Sequence, residues 1–134
     1  MERITVFIDW SEHNYCGSYS ENVPGAAVFT AATYEDAKLE AQETLDFHME
    51  GYAEEGKAPQ WYLDKEYELE FQLSVAALLH SLGADISLAS ISRATGINQT
   101  QLSHYANGLK VPRPKQHQRI IDGIHAIGRR LIAV

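Results

Sequence analysis

Five polar side chains stand close together in the second half of the chain: Gln99, Thr100, Gln101, Ser103 and His104, within the run "ATGINQTQLSHYANG". Their amide, hydroxyl and imidazole groups can donate or accept hydrogen bonds at base edges, and Gln can pair bidentately with adenine. Asn107, Lys110, Arg113 and Lys115 follow directly in "NGLKVPRPKQHQR", read as a loop held by Pro112 and Pro114. Such groups grip phosphates without reading sequence. Together the two sets carry the chemistry of nucleic-acid recognition. The bland alternative is a helical hairpin with a solvated polar face, but a polar, uncharged face followed at once by cations favours recognition.

The first half holds a different candidate. Asp9, Glu12, Glu35 and Asp36 are the acids that a two-metal nuclease would need to bring together. Nothing in their spacing obliges them to converge, and Glu35 and Asp36 fit the first turn of a helix, where the macrodipole stabilises acids. His13 and Cys16 lack two further ligands for a metal, His48 reads as a packed residue, and no Ser or Cys has an assignable base. The reading is therefore of a non-enzyme without metal or cofactor. The lone Cys16 can make no internal disulfide.

The elements that must position these residues follow from the hydrophobic period. Ile4, Val6 and Ile8 alternate with Thr5 and Phe7, and "YCGSYS" follows the polar break "SEHN", which predicts an antiparallel hairpin. "VPG" at residues 23–25 is turn chemistry, and "AAVFTA" reads as a third strand. Thr33, three residues before Asp36, marks a helix start. Tyr34, Ala37, Ala41, Leu45, His48 and Tyr52 then share one helical face, which predicts a helix ending near residues 51–56. "GKAPQ" reads as a loop. "EYELEFQL" alternates Tyr67, Leu69, Phe71 and Leu73 with Glu66, Glu68, Glu70 and Gln72, giving a strand with one buried and one acidic face. A mostly antiparallel sheet covered by the helix is the simplest assembly.

Residues 73–134 read as all-α. Short helices are expected from Val75 to Leu82, Leu88 to Thr95 and Gln99 to Ala106, and a long last one carries the apolar face of Ile120, Ile124, Ile127 and Leu131. Gly96 falls at a helix end, Ile97 locks the turn, and Asn98 can cap the next helix. Helix, Gly-containing turn, helix is the helix-turn-helix pattern, whose second helix enters the major groove. The domains expected are residues 1–72 and 73–134.

Charge divides along the same line. Of the formal charge of -7, residues 1–70 carry four basic and sixteen acidic side chains, a net of -12, and residues 71–134 carry seven basic and two acidic, a net of +5. An overall acidic chain is a poor ligand for a polyanion, but its second part alone is not. Such asymmetry points to two modules with different partners. "MERITVFIDW" lacks the basic start and apolar run of a signal peptide, and no stretch approaches the length of a membrane span, so a soluble, cytoplasmic protein without membrane partners is expected.

The run from Ile91 to Gly108 resembles the Xre/Cro-type helix-turn-helix, with its Thr-Gly-Ile-x-Gln order and Asn-Gly end; Ser92 stands where that family usually packs Ala. Over nearly the whole chain, "FIDWSEHNYCGSYSENVPG", "ATYEDAKLEAQETLDF", an acidic strand and the helix-turn-helix together resemble the HicB-type antitoxins. The resemblance departs at "TAAT", where the family commonly has Gly-Asp before the Thr. It implies a partial RNase H-like β-β-β-α-β domain followed by a DNA-binding domain. It also implies two partners: a small basic HicA-like toxin that cuts mRNA, bound through acids such as Glu66, Glu68 and Glu70, and operator DNA, bound by a homodimer or higher oligomer. The competing reading is a one-component transcription regulator whose first domain senses a small molecule.

Overall fold

In the computed structural model, which describes all 134 residues, strand β1 (Glu2–Ser11) turns Ile4, Val6 and Ile8 to the inner face of a sheet, where they are fully buried. Residue alternation in an extended chain sends Phe7 to the other face, and it is exposed. β1 turns into β2 (Asn14–Tyr19) through two residues only, with Ser11 opposite Asn14. The polar break is thus shorter than "SEHN", because Ser11 and Asn14 themselves pair. Glu12 and His13 both take positive φ, 48° and 79°, the mirror-image turn whose twist matches that of the flanking strands.

The third strand, β3 (Phe29–Ala31), covers only the second half of "AAVFTA". It pairs antiparallel with β2 and seats Phe29 opposite Gly17, where the ring occupies the space a Cβ would need. Val23 enters the core, while Gly25 adopts φ +73° in the predicted turn. His48 Nε2 lies 2.6 Å from the Pro24 carbonyl, tying that turn to the next helix, α1 (Tyr34–Glu54). Thr33 caps α1, its hydroxyl accepting from the Asp36 amide at 3.1 Å. The buried face of α1 is Ala37, Ala41, Leu45 and Met49.

A one-turn helix, α2 (Gln60–Leu63), interrupts the expected loop. It delivers Tyr62 into the core beside Ile4, Leu45 and Met49, and the Tyr62 hydroxyl donates to Asp46 at 2.8 Å. Burial first, and then that carboxylate, raise the Tyr62 pKa. The chain returns as β4 (Tyr67–Leu73) alongside β1, and the two run parallel, because a strand that comes back after a helical crossover re-enters in the same direction. The sheet is therefore mixed, in the order β3-β2-β1-β4, rather than mostly antiparallel. β4 lies at its edge, so Tyr67, Leu69, Phe71 and Leu73 are half-buried rather than fully buried.

The remaining elements are helices: α3 (Val75–Leu82), α4 (Leu88–Thr95), α5 (Gln99–Ala106) and α6 (Pro114–Ile132). They enclose their own core of Val75, Leu79, Ile91, Ile97, Leu102, Tyr105, Ile120 and Ile127. The protein is thus α+β, with a four-stranded mixed sheet and six helices, and it divides into two units, Met1–Ser74 and Val75–Val134. No helix is long and apolar enough to cross a membrane.

Burial separates two apolar residues of α1 that composition alone treats alike. Met49 is fully buried and Phe47 is 82% exposed. Met49→Ala is expected to lower the stability of the first unit by about 2–5 kcal/mol, and Phe47→Ala by under about 0.5 kcal/mol, in urea unfolding.

Candidate nucleic-acid interface

The turn between α4 and α5 is fastened by backbone conformation and side-chain hydrogen bonds together. Gly96 takes φ +75°, a left-handed conformation in which a Cβ would be strained, and its amide donates to Ser92 O at 2.8 Å. The Ser92 hydroxyl donates to the Ile97 carbonyl at 2.6 Å, so the hydroxyl at this position is a working part of the turn. The Thr95 hydroxyl donates to Ile91 O at 2.7 Å and accepts from the Ile97 amide at 3.1 Å. From α6, the Arg119 guanidinium donates to Thr95 O at 2.9 Å, putting a cation on the carbonyl end of α4, where the macrodipole favours it. Ile97 is buried, and Asn98 begins α5 with its side chain accepting from the Thr100 amide at 2.7 Å.

The far end of α5 is equally well defined. Gly108 takes φ +73°, the Gly108 amide donates to Tyr105 O at 3.1 Å, and the Leu109 amide donates to His104 O at 2.9 Å. This pair of bonds is the Schellman ending, which satisfies carbonyls that the helix itself leaves free. His80 of α3 adds a ring nitrogen 2.8 Å from Ala106 O. With both ends fixed and Leu102, Tyr105 and Ala106 buried, the outward face of α5 has one orientation.

On that face Gln99 and Thr100 are exposed, while Gln101, Ser103 and His104 are half-buried. Gln101 donates to the Tyr105 hydroxyl at 2.9 Å. Asn107 Nδ2 lies 3.4 Å from the Ser103 hydroxyl, a long hydrogen bond on an exposed surface. His104 buries its Nδ1 without a hydrogen-bond partner, so that nitrogen faces away from solvent. The most available donors and acceptors are thus at the start of α5.

Beside α5 lies an open groove of about 780 Å³ lined by Gln101, Tyr105, Lys110, Arg113, Lys115 and Arg119, among others. Lys110 and Arg113 are in the connecting segment, but Lys115 sits in the first turn of α6, after Pro114 at the start of the helix. Pro at that position needs no amide partner and presets the helical φ, so α6 begins sooner than a loop held by two prolines implies. Lys115 and Arg119 are then four apart on one helical face, which brings Arg119 and Gln116 into the groove. No salt bridge involves these four cations, and the first turn of α6 has no acid. Their charge is available to an external anion. Asn107 is exposed at the end of α5.

The acids of the first unit do a different job. Asp9 accepts from the Trp10 amide at 2.8 Å and from the Ser74 hydroxyl at 2.7 Å, Glu12 is in the hairpin turn, and Glu35 and Asp36 are in the first turn of α1. No group of three or more His, Cys, Asp or Glu side chains is arranged to hold a metal ion. Burial, then the charge of Asp9, raise the pKa of Cys16, which disfavours its thiolate. Glu68 and Glu70 lie on the exposed side of β4, where Arg3 approaches them at 3.4 and 3.6 Å. Comparison with protein-family models, curated proteins and solved structures finds no match.

The close approach of α4 and α6 that supports Arg119 depends on Gly123, where an added Cβ would overlap the Thr95 methyl. Gly123→Ala should destabilise the second unit by about 1–3 kcal/mol. Gly128, with open space at its Cβ position, should behave oppositely, since Ala there adds about 1 kcal/mol of helix preference. Urea unfolding of the two variants distinguishes the signs.

Proposed function

We propose that the chain is a HicB-type antitoxin: its second unit binds operator DNA as a helix-turn-helix module, and its first unit binds and silences a small basic HicA-like toxin that cuts mRNA. The observation that carries this reading is that the division of charge coincides with the division of the fold. Met1–Ser74 holds the net -12 and Val75–Val134 the net +5, since no charged residue lies between positions 71 and 74. Each unit therefore attracts a partner of opposite sign. The β-β-β-α-β succession of the first unit, with α2 inserted before its last strand, agrees with a partial RNase H-like domain.

In the DNA complex, α5 lies in the major groove with Gln99 and Thr100 foremost at base edges, Gln101, Ser103 and His104 behind them. Lys110, Arg113 and Lys115 take phosphates, and Arg119 of the same groove joins them. One such module reads few bases, and paired half-sites about 34 Å apart call for a homodimer. The end of α6 supports one, because Leu131 and Ile132 are 64% and 84% exposed while Ile120 and Ile127 of the same helix are spent on the core.

Titrating a duplex from the region upstream of the chain's own reading frame tests the DNA half. Gln99→Ala should cost about 1–3 kcal/mol and relax one base position, whereas Lys110→Ala should weaken all sequences and lower the salt slope by about one. Unchanged binding in both variants would refute the assignment. The toxin half requires a short basic reading frame beside this one, whose product arrests growth alone and is harmless when the full chain is co-expressed.

A further inference from the structure

β4 is an edge strand of the sheet, paired with β1 on one side only. Glu66 O accepts from the Glu2 amide at 3.0 Å and the Ser74 amide donates to Ile8 O at 2.9 Å, so the even-numbered backbone groups of this segment face β1. By the alternation of a strand, the amides and carbonyls of Tyr67, Leu69 and Phe71 face the free edge. Natural edges are usually blunted by Pro, Lys or a bulge. The seven residues of β4, "YELEFQL", contain no Pro and keep an unbroken register with β1; the charges within the strand are the acids Glu68 and Glu70, and Lys65 stands two residues before it. Along this edge runs a groove of about 400 Å³, with Tyr67, Leu69 and Phe71 beside Lys65 and Glu68 on one side and Lys38 and Gln42 of α1 on the other.

We propose that the free edge of β4 receives an extended segment of the basic partner protein as an added strand, with apolar side chains in the groove against α1 and Lys or Arg on the opposite face. This rests on the reading that the first unit binds a basic protein, and it specifies where and how. Strand addition suits an edge of this kind: main-chain hydrogen bonds supply affinity, and alternate side chains supply selectivity. Charge decides the occupant. On the exposed face β4 presents Glu68 and Glu70, half exposed, with Arg3 at 3.4 and 3.6 Å as their one ion-pair partner, and Glu68 shares its groove with Lys38 and Lys65. A second copy of β4 aligned antiparallel about Leu69 would set Glu68 against Glu70, a like-charge pairing that destabilises a sheet. A strand carrying cations at those positions meets both carboxylates instead.

The test is hydrogen exchange on the full chain, with and without the product of the adjacent short basic reading frame, together with binding of that product to Leu69→Pro. The Leu69 amide faces the free edge, so Pro removes a donor to the incoming strand and none to β1, the one sheet setting in which Pro is tolerated. The amides of Tyr67, Leu69 and Phe71 should exchange at least about tenfold more slowly in the complex. Leu69→Pro should bind at least about tenfold more weakly while retaining the wild-type circular dichroism. A complex that leaves those three amides unprotected overturns the edge proposal and leaves the partner reading standing, even if Leu69→Pro fails to fold. Absence of any complex with the wild-type chain overturns both.

Discussion

A charge cannot be buried unpaired without a large penalty, and this protein buries none: no polar or charged residue belongs to its buried set. Every surplus charge must therefore appear on the surface of the unit that carries it. Because sixteen of the eighteen acids belong to Met1–Ser74 and seven of the eleven cations to Val75–Val134, the two surfaces acquire opposite sign. Each core is built from apolar residues local to its own unit, Ile4, Leu45 and Met49 in one and Ile91, Leu102 and Ile120 in the other. The chain can thus present an acidic surface and a basic one without either compromising the packing of the other.

What the two surfaces offer differs in kind. On the basic unit the outward face of α5 is set by its ends, since the Gly96 turn and the Gly108 ending define where α5 starts and stops, and Arg119 bonds to Thr95 O from a second helix while lining the cationic groove. On the acidic unit the open feature is main chain, the edge of β4, with Glu68 and Glu70 beside it. A side-chain face reads donors and acceptors, whereas a strand edge accepts another strand. The proposed function gives the first to a nucleic-acid ligand and the second to a protein ligand.

The sequence carried some of this far better than the rest. α4 and α5 were legible to the residue, because Gly96 and Asn98 punctuate them and Leu102 and Tyr105 leave little choice of buried face. β1 was legible from the strict alternation of Ile4, Val6 and Ile8, and α1 from Thr33 and its recurring apolar face. α2 was not, since four residues are too few to show a period. The burial of β4 was overestimated because alternation reports which side chains share a face and not whether another strand lies beyond them. The groove was read incompletely for a related reason: treating Lys115 as loop concealed its helical relation to Arg119, which becomes visible once Pro114 is placed at the first position of α6.

The most direct test of the charge-partitioned assignment is residue-resolved. Isotope-labelled full-length protein is titrated with a duplex from upstream of its own reading frame, and backbone and side-chain resonances are followed by nuclear magnetic resonance. Partitioned function predicts perturbations at Gln99, Thr100 and the Lys110, Arg113, Lys115 and Arg119 groove, with the resonances of Glu66, Glu68 and Glu70 unmoved. Perturbations spread through Met1–Ser74, or a silent α5 in the presence of bound DNA, would contradict it.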